Sequence, residues 1–360
     1  MVSVSALALV ANAAPAWAHG VSGLQPTNYR TAVRGLSPSV PGVRVRAVDL
    51  GGKLALTNAT STDVVVLGYQ QEPYLRVGPR GVFENTRSPA VFLNRSATPT
   101  ATAPPSFDPA AAPVWRQISR SRTASWHDHR AHWMAVSAPP EVSRDSTQRH
   151  VVIKDWHVPL VVGARIVNIT GDVLWVPGPS PWPWLAGSLG LAAAATVGAR
   201  TKRWPAVLAV ALAFLVAGEA LHVGGLWGAS TASALSKTGS SLYSLAGCLI
   251  GVGALVMLLR REPYDATPVV LIASVFLWVA GGLADITSLT RSQLPSTLPD
   301  GLARGVVMAA IGLGGGLIIG TASRLRRPYP GTTRAPGRRT SEGLAARAPT
   351  RDEVPSVRRR

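Results

Sequence analysis

The chain has 360 residues, of which 47% are apolar and 15% charged, and its 36 Lys and Arg against 18 Asp and Glu give a net charge of +18. A mean hydropathy of +0.20 is too high for an ordinary soluble enzyme and too low for a chain that lies wholly in a membrane, so a soluble part joined to a membrane part is predicted. The single cysteine, Cys248, excludes a disulfide scaffold and a cysteine-based zinc finger.

Residues 1–18 have the pattern of a signal peptide. The run up to Ala14 is apolar and small, and Ala16-Trp17-Ala18 matches an A-x-A cleavage site. The alternative for so short an apolar run is a buried helix. Cleavage after Ala18 would make His19 the first residue of the mature protein.

Residues 19–181 are predicted to form an all-β ectodomain. Val43–Val48 alternates in polarity, Gly51-Gly52 marks a turn, and Lys53–Asn58 continues as a second strand, which predicts a hairpin. Short strands separated by turn residues favour an immunoglobulin-like antiparallel sandwich. Further strands are predicted at 63–69, 90–93, 150–156 and 164–169.

Residues 182–322 are predicted to form a membrane domain of five transmembrane helices, because a hydrocarbon core of roughly 30 Å needs about 20 apolar helical residues. The spans are predicted at 184–198, 205–227, 240–259, 268–286 and 302–321.

Positive charge predicts the orientation of these spans. Basic residues cluster after the first and third spans, at Arg200, Lys202, Arg203, Arg260 and Arg261. The positive-inside rule therefore predicts that the ectodomain lies outside and the C-terminus in the cytoplasm. The many Arg, Ala, Gly and Pro residues are typical of a bacterial genome rich in G and C, so a multi-pass protein of a bacterial cell membrane is predicted. Residues 323–360 are predicted to be a disordered basic tail suited to anionic inner-leaflet lipids. No motif indicates nucleic-acid binding, and no protein partner is identified.

Histidine is the main chemical signal in the ectodomain. His127, His129 and His132 lie in one short run, and imidazole is a common metal ligand. On a regular strand His127 and His129 share one face while His132 takes the other, so the three converge only if the chain turns or bulges near Arg130. In that arrangement Asp128 would hydrogen-bond to a metal-binding imidazole and fix its orientation.

An N-terminal His19 strengthens the case for copper. Its free amine and Nδ1 form a chelate, and one further imidazole completes a three-nitrogen set suited to copper. The predicted metal ligands are therefore His19, His127, His129 and His132, with copper ahead of zinc. The alternative is that the histidines are structural and that Asp128 and Arg130 pair with each other.

A second polar run, from Gly68 to Arg76, has two interpretations. Tyr, Glu and Arg so dense in one loop suit a binding surface for a protein or a wall component. Alternatively, the loop is held together by its own hydrogen bonds.

Ionisable residues inside the predicted spans form a third feature. Glu219 and His222 share a helix face, and at 1.5 Å per residue both they and Asp285 fall near the outer leaflet. Intramembrane ionisable residues indicate function by default, here a relay that passes a metal ion towards Cys248 and Met257. The alternative is a polar contact that holds the bundle together.

The pair Ala18-His19 and the segment Glu219-Ala-Leu-His222-Val-Gly-Gly-Leu-Trp227 give the chain a layout that resembles the CopC and CopD copper-resistance family and its fusions. In that family a β-sandwich with an N-terminal histidine precedes a helical membrane domain. The resemblance is architectural, and it implies a copper-handling role in which His19 contributes and His222 occupies the corresponding membrane segment. CopD-type domains usually have more than five spans, and the 127–132 run is not part of the CopC pattern.

The sequence contains no nucleophile triad, phosphate loop or dinucleotide fingerprint, so a protein without enzymatic activity is predicted. The leading hypothesis is extracytoplasmic copper binding coupled to the membrane helices, for uptake or resistance. The competing hypothesis is a non-enzymatic envelope protein whose ectodomain binds a protein or a wall component. A copper oxygenase built on the N-terminal histidine is a third interpretation.

Overall fold

The computed structural model describes residues 24–95, 102–135 and 137–326. The predicted signal peptide, His19 and all but the first four residues of the predicted tail lie outside these ranges.

The N-terminal part of the described chain consists of two antiparallel sheets. The larger one has seven strands, which in spatial order are β1 (Tyr29–Ser37), β10 (Arg165–Trp175), β9 (His150–Val162), β4 (Val64–Leu67), β5 (Pro73–Gly78), β6 (Gly81–Asn85) and β7 (Trp115–Ser119). The smaller one has three, namely β2 (Val43–Val48), β3 (Lys53–Asn58) and β8 (Thr123–Trp126). The predicted hairpin is confirmed, since Val43 pairs with Asn58 and Val48 with Lys53.

The two sheets share one hydrophobic core. Leu56 of β3, Val66 of β4, and Val158 and Leu160 of β9 are completely buried in it. Alternation along each strand sends these side chains inward, and each contributes about 1.5–3 kcal/mol relative to an exposed position.

The predicted strand at 90–93 is wrong. These residues belong to a short helix, α1 (Pro89–Leu93), whose N-cap Ser88 accepts a hydrogen bond from the Ala90 backbone N–H at 3.2 Å. Serine followed by proline is a helix-start signal, and an apolar run of four residues does not distinguish strand from helix by periodicity. A second short helix, α2, spans Pro140–Arg144.

The C-terminal part of the described chain is helical. Its helices are α3 (Trp182–Gly198), α4 (Trp204–Ala229), α5 (Ala234–Ser240), α6 (Leu242–Leu259), α7 (Pro263–Leu277) and α8 (Asp300–Leu325). Helix α7 continues into a π-helix, Trp278–Leu283, and a 3₁₀ turn follows at Ile286–Leu289.

Four helices in the described chain are long and apolar enough to cross a membrane: α4, α6, α7 with its π-helix, and α8. They coincide with four of the five predicted spans. Their outer surfaces carry exposed Phe214 and Leu249, which suits contact with lipid rather than water. The remaining predicted span corresponds to α3, which has 17 residues and is shorter than these four.

Helix α3 packs closely against α8 through small residues. A Cβ at Gly312 would lie 2.5 Å from the Ser188 carbonyl oxygen, and one at Gly316 would lie 2.6 Å from the Ala192 carbonyl oxygen. Glycine at these positions lets the two backbones approach.

The two sheets, which together form the β-domain, contact loops at one end of the helices. Thr27 and Gln293 exchange two backbone hydrogen bonds, of 3.1 and 3.0 Å. Asp49 accepts hydrogen bonds from the Thr231 backbone N–H at 2.9 Å and hydroxyl at 2.7 Å, and its carboxylate lies 2.8 Å from Lys53 Nζ. Burial acts to raise the pKa of Asp49, but these partners outweigh it and lower the pKa. The loops after α4 and before α8 therefore face the β-domain.

Candidate functional site

The three clustered histidines lie on a turn at the edge of the smaller sheet. Strand β8 ends at Trp126, before the first of them, and a 3₁₀ turn at His129–Ala131 follows. Asp128 caps this turn by accepting a hydrogen bond from the Arg130 backbone N–H at 3.1 Å. The chain therefore turns at the position where convergence of the histidines requires it.

The turn brings the three imidazole rings together. The ring centroids of His127 and His129 are 5.1 Å apart, and those of His127 and His132 are 5.3 Å apart. His127 is the central member of this group, which we call the histidine cluster. Tyr69 borders it, with its ring centroid 5.7 Å from that of His129 and its hydroxyl accepting the His129 backbone N–H at 3.0 Å.

Asp128 supports the turn rather than a histidine ring. Its buried carboxylate accepts hydrogen bonds from Trp126 Nε1 at 3.0 Å and from Arg130 Nε and Nη2 at 2.8 Å each. Arg130 also donates to the Leu67 carbonyl oxygen at 3.1 Å. The Asp128–Arg130 pair of the structural interpretation is therefore present, and it holds the backbone that carries the histidine cluster.

The His127 ring has a defined tautomer. Its Nδ1 lies 2.5 Å from the Gly52 carbonyl oxygen. Because a carbonyl only accepts, Nδ1 carries the hydrogen and the neutral ring presents its lone pair at Nε2. Burial lowers the pKa of His127, and Nε2 is buried without a hydrogen-bond partner. A backbone-oriented imidazole with a free Nε2 is the form in which histidine binds metals.

His132 is also held in its neutral form. Burial lowers its pKa to about 4, and the neighbouring rings of His127 and His129 lower it further. Its Nδ1 is buried and has no hydrogen-bond partner. Two imidazole nitrogens without partners therefore lie in one cluster, uncharged at neutral pH.

The lowered pKa of His132 predicts acid sensitivity. The unfolded chain takes up its proton near the ordinary histidine pKa of about 6.5, whereas the folded chain does so only near a pH of about 4. The free energy of unfolding is therefore constant above about pH 6.5 and falls below it, by up to about 1.4 kcal/mol per pH unit for this group. We expect His132→Gln to flatten this slope.

Urea unfolding of the full-length protein at about pH 7 and about pH 5, followed by tryptophan fluorescence, measures the slope. His157→Gln is the matched control, since His157 is exposed on β9. Equal slopes for the His132 variant and the unmodified protein would contradict the prediction.

The histidine cluster is not a preformed metal site. Across residues 24–95, 102–135 and 137–326, no group of three or more His, Cys, Asp or Glu side chains is arranged to hold a metal ion. His150 instead contacts the Asp145 carbonyl oxygen through Nε2, at 2.5 Å. His19 lies outside the described residues, so its predicted chelate stays a prediction.

The Gly68–Arg76 segment is held by its own hydrogen bonds. Glu72 and Tyr74 are 3% and 5% exposed. Glu72 accepts hydrogen bonds from the Gln70 backbone N–H at 2.9 Å and from the Ser88 hydroxyl at 2.7 Å. Gln70 and Gln71 are exposed, but Glu72 and Tyr74, two of the side chains that made the run a candidate binding surface, are not.

The ionisable residues of the helices form a second buried group. His222 Nε2 lies 3.0 Å from Asp285 Oδ2, and Glu219, one helical turn before His222, is 1% exposed. The structure thus brings His222 and Asp285 into contact and buries Glu219 on the same helix as His222. Cys248 contacts α4 through the Val216 carbonyl oxygen, 3.9 Å from its Sγ.

Sequence reasoning missed the glycine that makes room for Glu219. Gly281 lies in the π-helix directly against the Glu219 carboxylate. The pair Gly281-Gly282 inside an apolar span was the available signal, because glycine in a helix permits close approach of another group.

Comparison with known protein families, with curated proteins and with solved structures finds no match to this chain.

Proposed function

We propose that this chain is a multi-pass membrane protein without enzymatic activity that binds copper, or another late first-row metal ion, through extracytoplasmic histidines. The observation that carries the proposal is His127, whose free Nε2 is buried in contact with two further imidazole rings. Handling of copper for uptake or resistance is the role that fits such a site.

The donor chemistry of the histidine cluster fits copper. Imidazole nitrogens are preferred ligands of this metal, and neutral rings release no proton when they bind it. Without a preformed set of three ligands in the described chain, the cluster needs an outside donor or a rotation of its rings. The amine and Nδ1 of an N-terminal His19 are such donors, and they require only one imidazole from the cluster.

The proposed architecture places this site outside the cell. It consists of a cleaved signal peptide, an immunoglobulin-like sandwich, five transmembrane helices and a cytoplasmic basic tail. The docking of the β-domain on the loops after α4 and before α8 supports the orientation, since the positive-inside rule assigns both loops to the outer face.

Metal titration of the full-length protein with an authentic His19 N-terminus tests the proposal. We expect binding of copper in preference to zinc, weakened at least about tenfold by His127→Ala, which corresponds to about 1.4 kcal/mol. His157→Ala, an exposed histidine of the same domain, is the matched control and should bind normally.

A variant with one extra residue before His19 separates the sources of the ligands. Weakening in this variant and in His127→Ala supports a site built on the N-terminus, whereas weakening in His127→Ala alone supports a site within the cluster. Equal binding by all variants contradicts the proposal and favours an envelope protein with structural histidines.

A further inference from the structure

Glu219 is a buried acid without a hydrogen-bond partner. Its side chain is 1% exposed, and neither carboxylate oxygen accepts a hydrogen bond in the described chain. The Ser244 hydroxyl lies nearby without suitable hydrogen-bond geometry. An ionised carboxylate in such surroundings loses its hydration and accepts no hydrogen bond in return, so this environment favours the protonated acid.

The charged neighbours of Glu219 do not supply a counter-ion. His222 is 3.0 Å from Asp285 and is paired with it. On α8 the buried Arg304 donates instead to the carbonyl oxygens of Ser288, at 3.1 Å, and Arg291, at 2.8 Å. The carboxyl groups of Glu219 and Asp285 thus have one imidazole between them, that of His222. Because His222 pairs with Asp285, charge balance leaves a proton on the carboxyl of Glu219.

Other neighbouring elements add no charge at Glu219. Helix α6 presents Ser244 and Cys248, and the π-helix Trp278–Leu283 contains no ionisable residue. The acid therefore depends on its own proton for neutrality.

The π-helix gives the carboxyl its space. A Cβ at Gly281 would lie 1.8 Å from Glu219 Oε2, so the side chain occupies the position that any other residue would fill. The Ala284 backbone N–H donates to the Val279 carbonyl oxygen at 2.9 Å, five residues back. Such wide turns occur mostly as single bulges at functional sites.

The position of Glu219 along α4 favours proton exchange with the aqueous phase on the β-domain side. Glu219 lies ten residues before the end of α4 at Ala229, about 15 Å along the helix axis. His222 lies one turn nearer to the β-domain, whereas Leu215, Leu212 and Leu208, towards the opposite end, are buried and apolar. On α4, the ionisable neighbour of Glu219 therefore lies on the β-domain side of it, and the buried leucines lie on the other.

We propose that Glu219 is a proton-binding site of the membrane domain, and that its proton exchanges with the aqueous phase on the β-domain side through the His222–Asp285 pair. The ligand is a proton, and the π-helix is the segment that accommodates the acid. This site is separate from the histidine cluster and does not depend on metal binding there.

Infrared spectroscopy of the full-length protein in lipid nanodiscs tests for the proton directly. We expect a protonated-carboxyl C=O band at neutral pH that is absent in Glu219→Gln and displaced in Glu219→Asp. In the unmodified protein the band should decrease when the pH is raised, because the acid then loses its proton. Identical spectra for the unmodified protein and Glu219→Gln would overturn the proposal, because Glu219 would then be ionised.

Sodium distinguishes a proton from a metal cation. At constant pH, sodium chloride should leave the Glu219 band unchanged relative to choline chloride. Loss of the band on addition of sodium would show that the carboxylate binds this ion, and it would refute the assignment to a proton.

The exchange route has its own test. After a rapid pH increase, the Glu219 band should disappear about 100-fold more slowly in His222→Leu than in the unmodified protein, because the variant lacks the intermediate proton acceptor. Thr238→Val on α5, outside the pathway, is the control. An unchanged rate in His222→Leu would refute the route through the pair.

Discussion

Asp128→Ala is expected to lower the free energy of unfolding of the β-domain by about 3–5 kcal/mol, the cost of removing one partner from a buried ion pair. The substitution leaves the half-buried guanidinium of Arg130 without its carboxylate and the buried Trp126 indole N–H without an acceptor. Both groups lose hydrogen bonds that water does not readily replace.

Thermal unfolding of the full-length protein in detergent measures this loss. Arg116→Ala is the control, because the Arg116–Glu84 pair has a similar distance of 2.8 Å but a 62% exposed arginine. Exposed pairs contribute only about 0–1 kcal/mol. Similar losses in the two variants would contradict the central role of Asp128 in the turn.

Gly281→Ala is expected to destabilise the helical part of the chain by about 3 kcal/mol, at the upper end of the cost of overpacking. The new methyl group would overlap the Glu219 carboxylate, which is enclosed and has no free space to enter. Displacement of the acid would also abolish the infrared band assigned to it.

A double-mutant cycle isolates this overlap. Glu219→Ala removes the carboxylate, so Gly281→Ala should cost much less in that background than alone. Gly253→Ala is the control, since a Cβ there meets nothing within 4 Å and the change favours the helix by about 1 kcal/mol or less. Equal costs of Gly281→Ala in both backgrounds would place the strain elsewhere in the π-helix.

Local patterns predicted part of the fold correctly. The hairpin of β2 and β3 follows from alternation and a glycine turn, and the helices α4, α6 and α8 follow from long apolar runs. From the sequence, the turn at His129–Ala131 could be stated only as a requirement for the three histidine rings to meet. Its cause is the capping of the turn by Asp128, together with the Arg130 contacts to the distant Leu67 backbone.

Non-local contacts account for what the sequence did not reveal. The order of the strands depends on pairings between distant segments, and the burial of Glu72 depends on Ser88. The proximity of Glu219, His222 and Asp285 was predictable, because helix geometry and orientation fix their depth. Their individual partners were not, since the π-helix shifts the side chains that follow it.

The pairing of β1 with β10 constrains the biogenesis of the protein. Tyr29 of β1 pairs with Trp175 of β10, so β1 has no partner strand until nearly the whole β-domain has been synthesised. Pairings so distant in sequence form slowly and leave strand edges open in the meantime. The contacts with Thr231 and Gln293 form later still, because both residues follow the whole β-domain in the chain. A chain arrested before these residues are synthesised therefore lacks the contacts that join the β-domain to its helical base.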